Sequence, residues 1–289
     1  MNYTEEAILF ACAGETLAGI LANPENPAQT GVVVIVGGPQ YRVGSHRQFV
    51  LLSRALAAAG YAVLRFDYRG MGDSEGPQRD FQAVSLDTAA AIDTLQSRVT
   101  SVKHVVLWGL CDGASAALLY CQETHDPRVS GLCLLNPWVR SEASLARTQV
   151  KHYYTQRLMQ KEFWIKLVSG KVAASAINGL AGNITALFSG RASRGGNQDN
   201  PSFQQRMAKA WHKFDGHILL ILSGDDYTAK EFLDHSRTDA AWSAALECQG
   251  VTRHDLPSSD HTFSTLASRI HVEDLTARWL GKLIVPGKQ

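Results

Sequence analysis

The stretch Trp108-Gly109-Leu110-Cys111-Asp112-Gly113-Ala114-Ser115 joins an apolar run, Val102 to Trp108, to a run of small residues, Asp112 to Gln122. The first run predicts a β-strand and the second an α-helix. A cysteine with a glycine two positions away on each side is typical of a strand–turn–helix elbow that presents a nucleophile at a helix N-terminus. The positive end of the helix dipole favours a thiolate there. Cys111 is therefore a candidate nucleophile, or else a buried cysteine in a glycine-rich turn.

The segments around this elbow predict a doubly wound sheet. Glu6–Phe10 and Glu15–Leu21 alternate and predict a β-hairpin that turns at Ala13-Gly14. Later strands are apolar on both faces, which is typical of a parallel sheet covered by helices. We expect eight strands in a mostly parallel α/β sheet, the last six at Gly31–Val36, Tyr61–Phe66, Val102–Trp108, Val129–Leu135, His217–Gly224 and Val251–Leu256. Helices are predicted near Ser45–Ala59, Phe81–Ser97, Asp112–Gln122, Ala229–Ala240 and Thr262–Gly281.

The alternation of strands and helices stops between Trp138 and Phe214. This stretch is helical in pattern and rich in aromatic and basic residues. We predict that residues 138–214 form a helical cap inserted after the sixth strand, and that residues 1–137 and 215–289 form the core. Such a cap could act as a lid that excludes water and selects the substrate; packing and solvation alone are the simpler explanation for most of its side chains.

A histidine and an acid follow the elbow in the order that an elbow nucleophile requires. His261 lies in a polar loop after the last predicted strand, and Asp225 and Asp226 follow the strand that ends at Ser223-Gly224. A histidine beside a thiol acts as its base, and a carboxylate orients the histidine. Asp226 is the favoured acid, and Asp225 is the alternative, which could instead cap the turn.

The oxyanion formed during acyl transfer needs two N–H donors. The backbone N–H of Asp112 is the first candidate, and the second should come from the loop after the strand that ends at Val36. Pro39 has no N–H to donate. The remaining candidates in that loop are Gly38, Gln40 and Tyr41.

The composition excludes several classes of protein. The chain has 289 residues and a formal net charge of +1, without the basic surface that nucleic-acid binding requires. Its N-terminal residues do not resemble a signal peptide, and no apolar run is long enough to span a membrane. The five cysteines have no metal-type spacing, so we expect free thiols in the cytoplasm and neither metal nor cofactor.

Several motifs resemble the α/β-hydrolase family. Phe66-Asp67-Tyr68-Arg69-Gly70-Met71-Gly72-Asp73-Ser74-Glu75-Gly76 is similar to the D-x-R-G-x-G-x-S loop of that family, as are Gly37-Gly38-Pro39, the elbow at 109–113 and Asp260-His261-Thr262-Phe263. Leu222–Phe232 resembles the exosortase A system-associated hydrolase type 1 group, cytoplasmic enzymes similar to serine aminopeptidases and acyl-esterases. This resemblance supports Asp226 as the acid. Most members carry serine at the position of Cys111.

The resemblance implies an α/β-hydrolase fold and acyl chemistry on a small-molecule substrate. We expect hydrolysis of an acyl ester or thioester through a Cys111–His261–Asp226 triad. One alternative is transfer of the acyl group to a sugar or another acceptor of exopolysaccharide metabolism. Another is a binding protein that has kept the fold without the activity.

Overall fold

The computed structural model describes residues 2–38, 40–140 and 201–283. In these ranges one eight-stranded sheet has the order β1-β2-β4-β3-β5-β6-β7-β8. The strands are β1 (Tyr3–Cys12), β2 (Glu15–Pro24), β3 (Thr30–Ile35), β4 (Val63–Phe66), β5 (His104–Leu110), β6 (Val129–Leu135), β7 (His217–Ser223) and β8 (Val251–Leu256). Strand β2 pairs antiparallel with β1 and β4, and the pairs from β4 to β8 are parallel. The predicted hairpin and mostly parallel sheet are confirmed.

Helices in the described ranges cover the sheet in two groups. The helices are α1 (Gln48–Ala58), α2 (Ser85–Arg98), α3 (Asp112–Thr124), α4 (Phe203–Lys213), α5 (Tyr227–Thr238) and α6 (Leu266–Leu280). Helix α1 packs against α6, whereas α3 packs against both α2 and α4. All residues of β3 are buried, as expected for a central strand with helices over both faces.

Two helices begin at residues other than those predicted, because side chains cap them there. Helix α5 begins at Tyr227, two residues before the predicted start, because the Asp226 carboxylate accepts the N–H of Thr228 and caps it. Helix α6 begins at Leu266, later than the predicted Thr262, because Thr265 is its N-cap and accepts the N–H of Ser268. The two caps end the loops after β7 and β8, which carry the candidate acids and His261.

Helix α4 packs with the core, although its sequence lies inside the predicted cap. One compact unit comprises Met1–Val139 and Ser202–Gln289, and the other comprises Arg140–Pro201. The indole of Trp211 on α4 contacts Phe232 and Trp242, with ring centroids 6.1 and 5.6 Å away. Trp211 also donates its Nε1–H to the carbonyl of Ala245 at 2.7 Å. The first unit therefore includes the residues from Ser202 onward, whereas the sequence predicts that the cap extends to 214. Residues 141–200 of the predicted cap lie outside the described residues.

A buried ion pair ties the loop after β4 to helix α2. The Arg69 guanidinium donates from Nε and Nη2 to the two carboxylate oxygens of Asp87, at 2.9 and 2.8 Å. Asp87 also accepts the backbone N–H of Arg69 at 2.8 Å. The side chains are 4% and 0% exposed. Removal of one partner from such a pair leaves an uncompensated buried charge, which is strongly destabilising.

We predict that Asp87→Ala lowers the free energy of unfolding by about 3 kcal/mol or more, because Arg69 then stays buried without a counter-charge. Urea unfolding followed by circular dichroism measures the change. The matched control is Asp255→Ala, which breaks the exposed pair with Arg253 and should cost less than about 1 kcal/mol. Equal losses in the two variants would contradict the role given to burial.

Candidate active site

The backbone of Cys111 makes a strained turn between β5 and α3. Its φ and ψ are 61° and −125°, a conformation that non-glycine residues rarely adopt. A Cβ on Gly109 would lie 2.4 Å from the backbone of Gly113, and a Cβ on Gly113 would lie 2.5 Å from the carbonyl oxygen of Ile35. Both positions must therefore be glycine for the turn to close. Strain of this kind costs roughly 1–3 kcal/mol and is typical of functional sites.

Hydrogen bonds hold this turn against the neighbouring strand. The N–H of Cys111 donates to the carbonyl of Leu135 at 2.9 Å, and the carbonyl of Cys111 accepts the N–H of Trp138 at 3.2 Å. The hydroxyl of Ser115 donates to the carbonyl of Trp138 at 2.7 Å. The end of β6 therefore fixes the backbone that carries the thiol, and the Cys111 side chain is half-buried.

The structure brings Cys111, His261 and Asp226 together. Nδ1 of His261 lies 2.8 Å from Oδ2 of Asp226, and the side chain of Cys111 lies near enough to the same ring to contribute to its raised pKa. Because Asp226 engages Nδ1, Nε2 is the ring nitrogen left to face the sulfur. Asp226 is 7% exposed and accepts two further N–H groups, from Thr228 and Ala229. The imidazole therefore stands between a thiol and a well-anchored carboxylate.

The hydrogen bond to Asp226 raises the pKa of His261 to about 10, with a smaller contribution from Cys111, and together these outweigh the opposing effect of burial. The imidazole of His261 therefore carries a proton at neutral pH. A protonated imidazole in contact with a sulfur is the arrangement that stabilises a thiolate nucleophile.

Asp225 is placed differently from its neighbour. It is exposed, and its backbone N–H donates to the carbonyl of Ser259 at 3.0 Å. That bond joins the loop after β7 to the loop that leads to His261. Of the two acids that the sequence left open, Asp226 contacts the imidazole, and Asp225 contributes a turn.

Asn136, which no sequence motif singles out, connects the loops of the site. Asn136 is fully buried at the end of β6 and has a φ of 44°. Its side chain donates to the hydroxyl of Ser223 at 2.5 Å and to the carbonyl of His261 at 3.2 Å, and it accepts the N–H of Ser223 at 2.9 Å. The sequence signal for it is an Asn-Pro pair directly after an apolar strand, a position at which a polar side chain needs buried partners.

The predicted oxyanion donors differ in their surroundings. The N–H of Gly38 donates to the Asp112 carboxylate at 2.5 Å. Gln40 uses its side-chain oxygen to accept the N–H of Ser45 at 3.0 Å, and Tyr41 is exposed at the surface. Gly38 therefore contacts the elbow directly. Pro39 lies outside the described residues.

Nothing in the described ranges forms a metal site. No group of three or more histidine, cysteine, aspartate or glutamate side chains there could hold a metal ion. All five cysteines are free thiols. Across the described residues, no helix has the length and apolar character needed to cross a membrane.

Residues 27–220, about two thirds of the chain, match the family described as serine aminopeptidase, S33. The chain belongs to this family. It is therefore a hydrolase of the α/β-hydrolase type, as its sequence motifs had predicted. Membership of the family leaves the substrate and the identity of the nucleophile open.

Relatives and solved structures agree with this fold. Human protein ABHD12B is 31% identical over 86 residues, which are 30% of this chain and 23% of that protein, so the match spans less than a quarter of this curated relative. The Pyrococcus furiosus esterase Pf2001 has a TM-score of 0.65 at 14% identity, covering 98% of this chain and 94% of that one. Dienelactone hydrolase from Anabaena variabilis has a TM-score of 0.61 at 16% identity, covering 99% and 100%. Both structures share the fold, and the predicted fold class is confirmed.

We predict that Asp226→Asn lowers the pKa of His261 from about 10 towards its ordinary value of 6.5, because the largest cause of the raised pKa is removed. A proton NMR titration of the His261 ring measures this. A raised pKa in the folded state gives stability that is complete below pH 6.5 and disappears as pH rises through about 10. The stability difference between the two proteins should therefore shrink over that interval.

Asp225→Asn is the matched control for this titration, because it removes the neighbouring carboxylate and leaves the bond to the imidazole intact. It should leave the titration of His261 almost unchanged. An Asp226→Asn variant whose His261 still titrates near pH 10 would show that the carboxylate does not govern this imidazole.

Proposed function

We propose that the chain hydrolyses an acyl ester or thioester through a thioester intermediate on Cys111. The observation that carries this proposal is the position of His261, whose Nδ1 contacts Asp226 at 2.8 Å and whose pKa is raised by both Asp226 and the nearby side chain of Cys111. A base that contacts a nucleophile and is oriented by a third group is the general arrangement of acyl-transfer catalysis. The strained elbow that presents the thiol also supports the proposal.

In the first half of the reaction, the sulfur of Cys111 attacks the carbonyl carbon while the protonated His261 holds the proton that the thiol has given up. A C–S bond forms, and the carbonyl π electrons move onto the oxygen to give a tetrahedral oxyanion. This intermediate collapses to a thioester as the bond to the leaving alcohol or thiol breaks, and His261 gives that leaving group its proton. Asp226 keeps the imidazole in the tautomer and orientation that both proton transfers require.

In the second half, His261 removes a proton from water as the water oxygen attacks the thioester carbon. The C–S bond then breaks, the acid leaves, and His261 keeps the proton taken from water, so the sulfur again lies beside a protonated imidazole. Oxyanions form in both halves, so N–H donors at the elbow stabilise both steps.

The thiol nucleophile favours one group of substrates. Sulfur is strongly nucleophilic at neutral pH when a histidine supports it. A thiolate is also a better leaving group than an amine, so a tetrahedral adduct of an amide returns to starting material more readily than that of a thioester. Thioesters, activated esters and lactones are therefore better candidates than amides.

Transfer of the acyl group to a sugar hydroxyl is the second proposal. It rests on the resemblance of residues 222–232 to the exosortase-associated group, and on the departure from serine at Cys111. The chemistry is the same up to the thioester, after which a sugar oxygen replaces water as the nucleophile.

We expect wild-type protein, incubated with p-nitrophenyl esters and acyl thioesters, to show a mass increase of one acyl group and to turn over. Cys111→Ala should give neither result. His261→Ala should react roughly 10²- to 10⁴-fold more slowly, because general-base assistance is lost. Intact-mass spectrometry and release of the chromophore or free thiol measure both steps.

Cys248→Ser is the matched control, because Cys248 is another partly exposed thiol, and its sulfur lies 3.5 Å from Nδ1 of His212. This variant should retain the wild-type rates. A folded wild-type protein that neither forms an adduct nor turns over any of these substrates would rule out both proposals and favour a binding protein. Acylated sugar, found when acceptors are added, would favour transfer over hydrolysis.

A further inference from the structure

The side chain of Asp112, the residue after Cys111, lies against the backbone N–H groups that an oxyanion would need. One carboxylate oxygen accepts the N–H of Gly38 at 2.5 Å. The backbone N–H groups of Asp112 itself and of Gly113, at the first turn of α3, lie near enough to the same carboxylate to lower its pKa. These include both donors that the sequence predicts for the oxyanion hole: the residue after the nucleophile and the loop after β3.

The packing around the carboxylate leaves no room for a side chain at position 37. A Cβ on Gly37 would lie 2.4 Å from Oδ1 of Asp112 and 2.3 Å from the carbonyl oxygen of Leu110. The glycine therefore allows the loop after β3 to approach the elbow closely enough for the Gly38 N–H to reach the carboxylate. While the carboxylate accepts these N–H groups, a substrate carbonyl oxygen is prevented from accepting them.

The charge around this position makes the arrangement costly. Burial raises the pKa of Asp112, and the three backbone N–H groups oppose that rise only in part. The negative charge of Asp80 raises it further. The hydrogen bond from Gly38 therefore helps to stabilise a buried negative charge. Protonation of Asp112 removes that charge and so weakens the hydrogen bond.

We propose that Asp112 is a plug for the oxyanion hole: its carboxylate occupies the N–H donors while no substrate is bound, and must leave them before Cys111 can be acylated. The proposal rests on the proposed acyl chemistry of Cys111. Displacement requires rotation of one side chain, and it frees the N–H groups of Gly38 and Asp112 for the oxyanion. Asp112 therefore limits acylation without touching the reacting atoms.

The occupied state is tested without any substrate. In wild-type protein the amide proton resonance of Gly38 should lie far downfield and shift in one step as Asp112 titrates, since a carboxylate at 2.5 Å polarises that N–H. The step should vanish in Asp112→Ala. It should persist in Asp80→Asn, since the exposed Asp80 accepts the N–H of Gln82. A Gly38 resonance that does not titrate in wild-type protein, or titrates equally in Asp112→Ala, would overturn the plug.

The effect on the reaction is tested by the rate of acylation with a short acyl thioester, followed by intact mass. Asp112→Ala should be acylated at least about tenfold faster than wild type at pH 8. Loss of a single oxyanion donor slows a hydrolase by roughly 10²- to 10³-fold, so release of a blocked donor should raise the rate measurably. The ratio of the two rates should shrink as pH falls, because protonation of Asp112 releases the plug in wild type. A slower variant whose melting temperature is unchanged, or a ratio that does not depend on pH, would overturn the proposal.

The two measurements separate this inference from the proposed function. If Gly38 titrates with Asp112 but no variant forms an adduct, the plug exists and the acyl chemistry fails. If wild type is acylated but the Gly38 amide resonance does not shift as Asp112 titrates, the acyl chemistry is supported and the plug is ruled out.

Discussion

The positive φ of Cys111 is the constraint on which the rest of the site depends. A chain that leaves β5 in this conformation turns sharply enough to start α3 at the next residue, so the half-buried sulfur lies at the carboxyl edge of the sheet. The glycines at 109 and 113 make the turn possible because backbone fills the space that a Cβ would need. The backbone energy stored there is offset by the packing of β5 and α3, whose apolar residues are almost all buried.

The acid and the histidine depend on the same edge. Asp226 has two tasks, since its carboxylate caps α5 and engages Nδ1 of His261. Asn136 joins the loops that carry these two residues, through Ser223 and the carbonyl of His261. The end of β6 thus holds both the elbow backbone and the acid and base loops, and a shift of that one strand end would move all three candidate residues.

The carboxylate of Asp112 places a negative charge beside the elbow, and the order of nucleophile, acid and histidine in the sequence does not predict it. A helix N-terminus and a glycine loop converge to bind an anion, and in the described structure that anion is the chain's own carboxylate. The same property that makes the site suitable for an oxyanion therefore attracts the plug. In this account the resting enzyme keeps its donors paired and exchanges one anion for another during the reaction.

The sequence predicted the secondary structure correctly where a local pattern of residues determines it. Strands β6 and β8 have the predicted bounds, because short apolar or alternating runs end at clear turn signals. The order of elbow, acid and histidine located the candidate residues, but the choice between Asp225 and Asp226 depended on which carboxylate turns inward. Asn136 and the Asp112 carboxylate were missed because their roles arise from contacts with residues distant in sequence. The sequence predicts α4 as part of the cap, because the residues of α4 alone do not show that Trp211 packs against Phe232 and Trp242.

The central claim is that the acyl group is carried by the sulfur of Cys111. Its most direct test is peptide mapping by mass spectrometry of protein quenched in acid during turnover of an acyl thioester. The account predicts a single acylated peptide that contains Cys111, from which neutral hydroxylamine removes the acyl group, as expected for a thioester. An acyl group found on Ser115 or Cys248, or one that resists hydroxylamine, would contradict it.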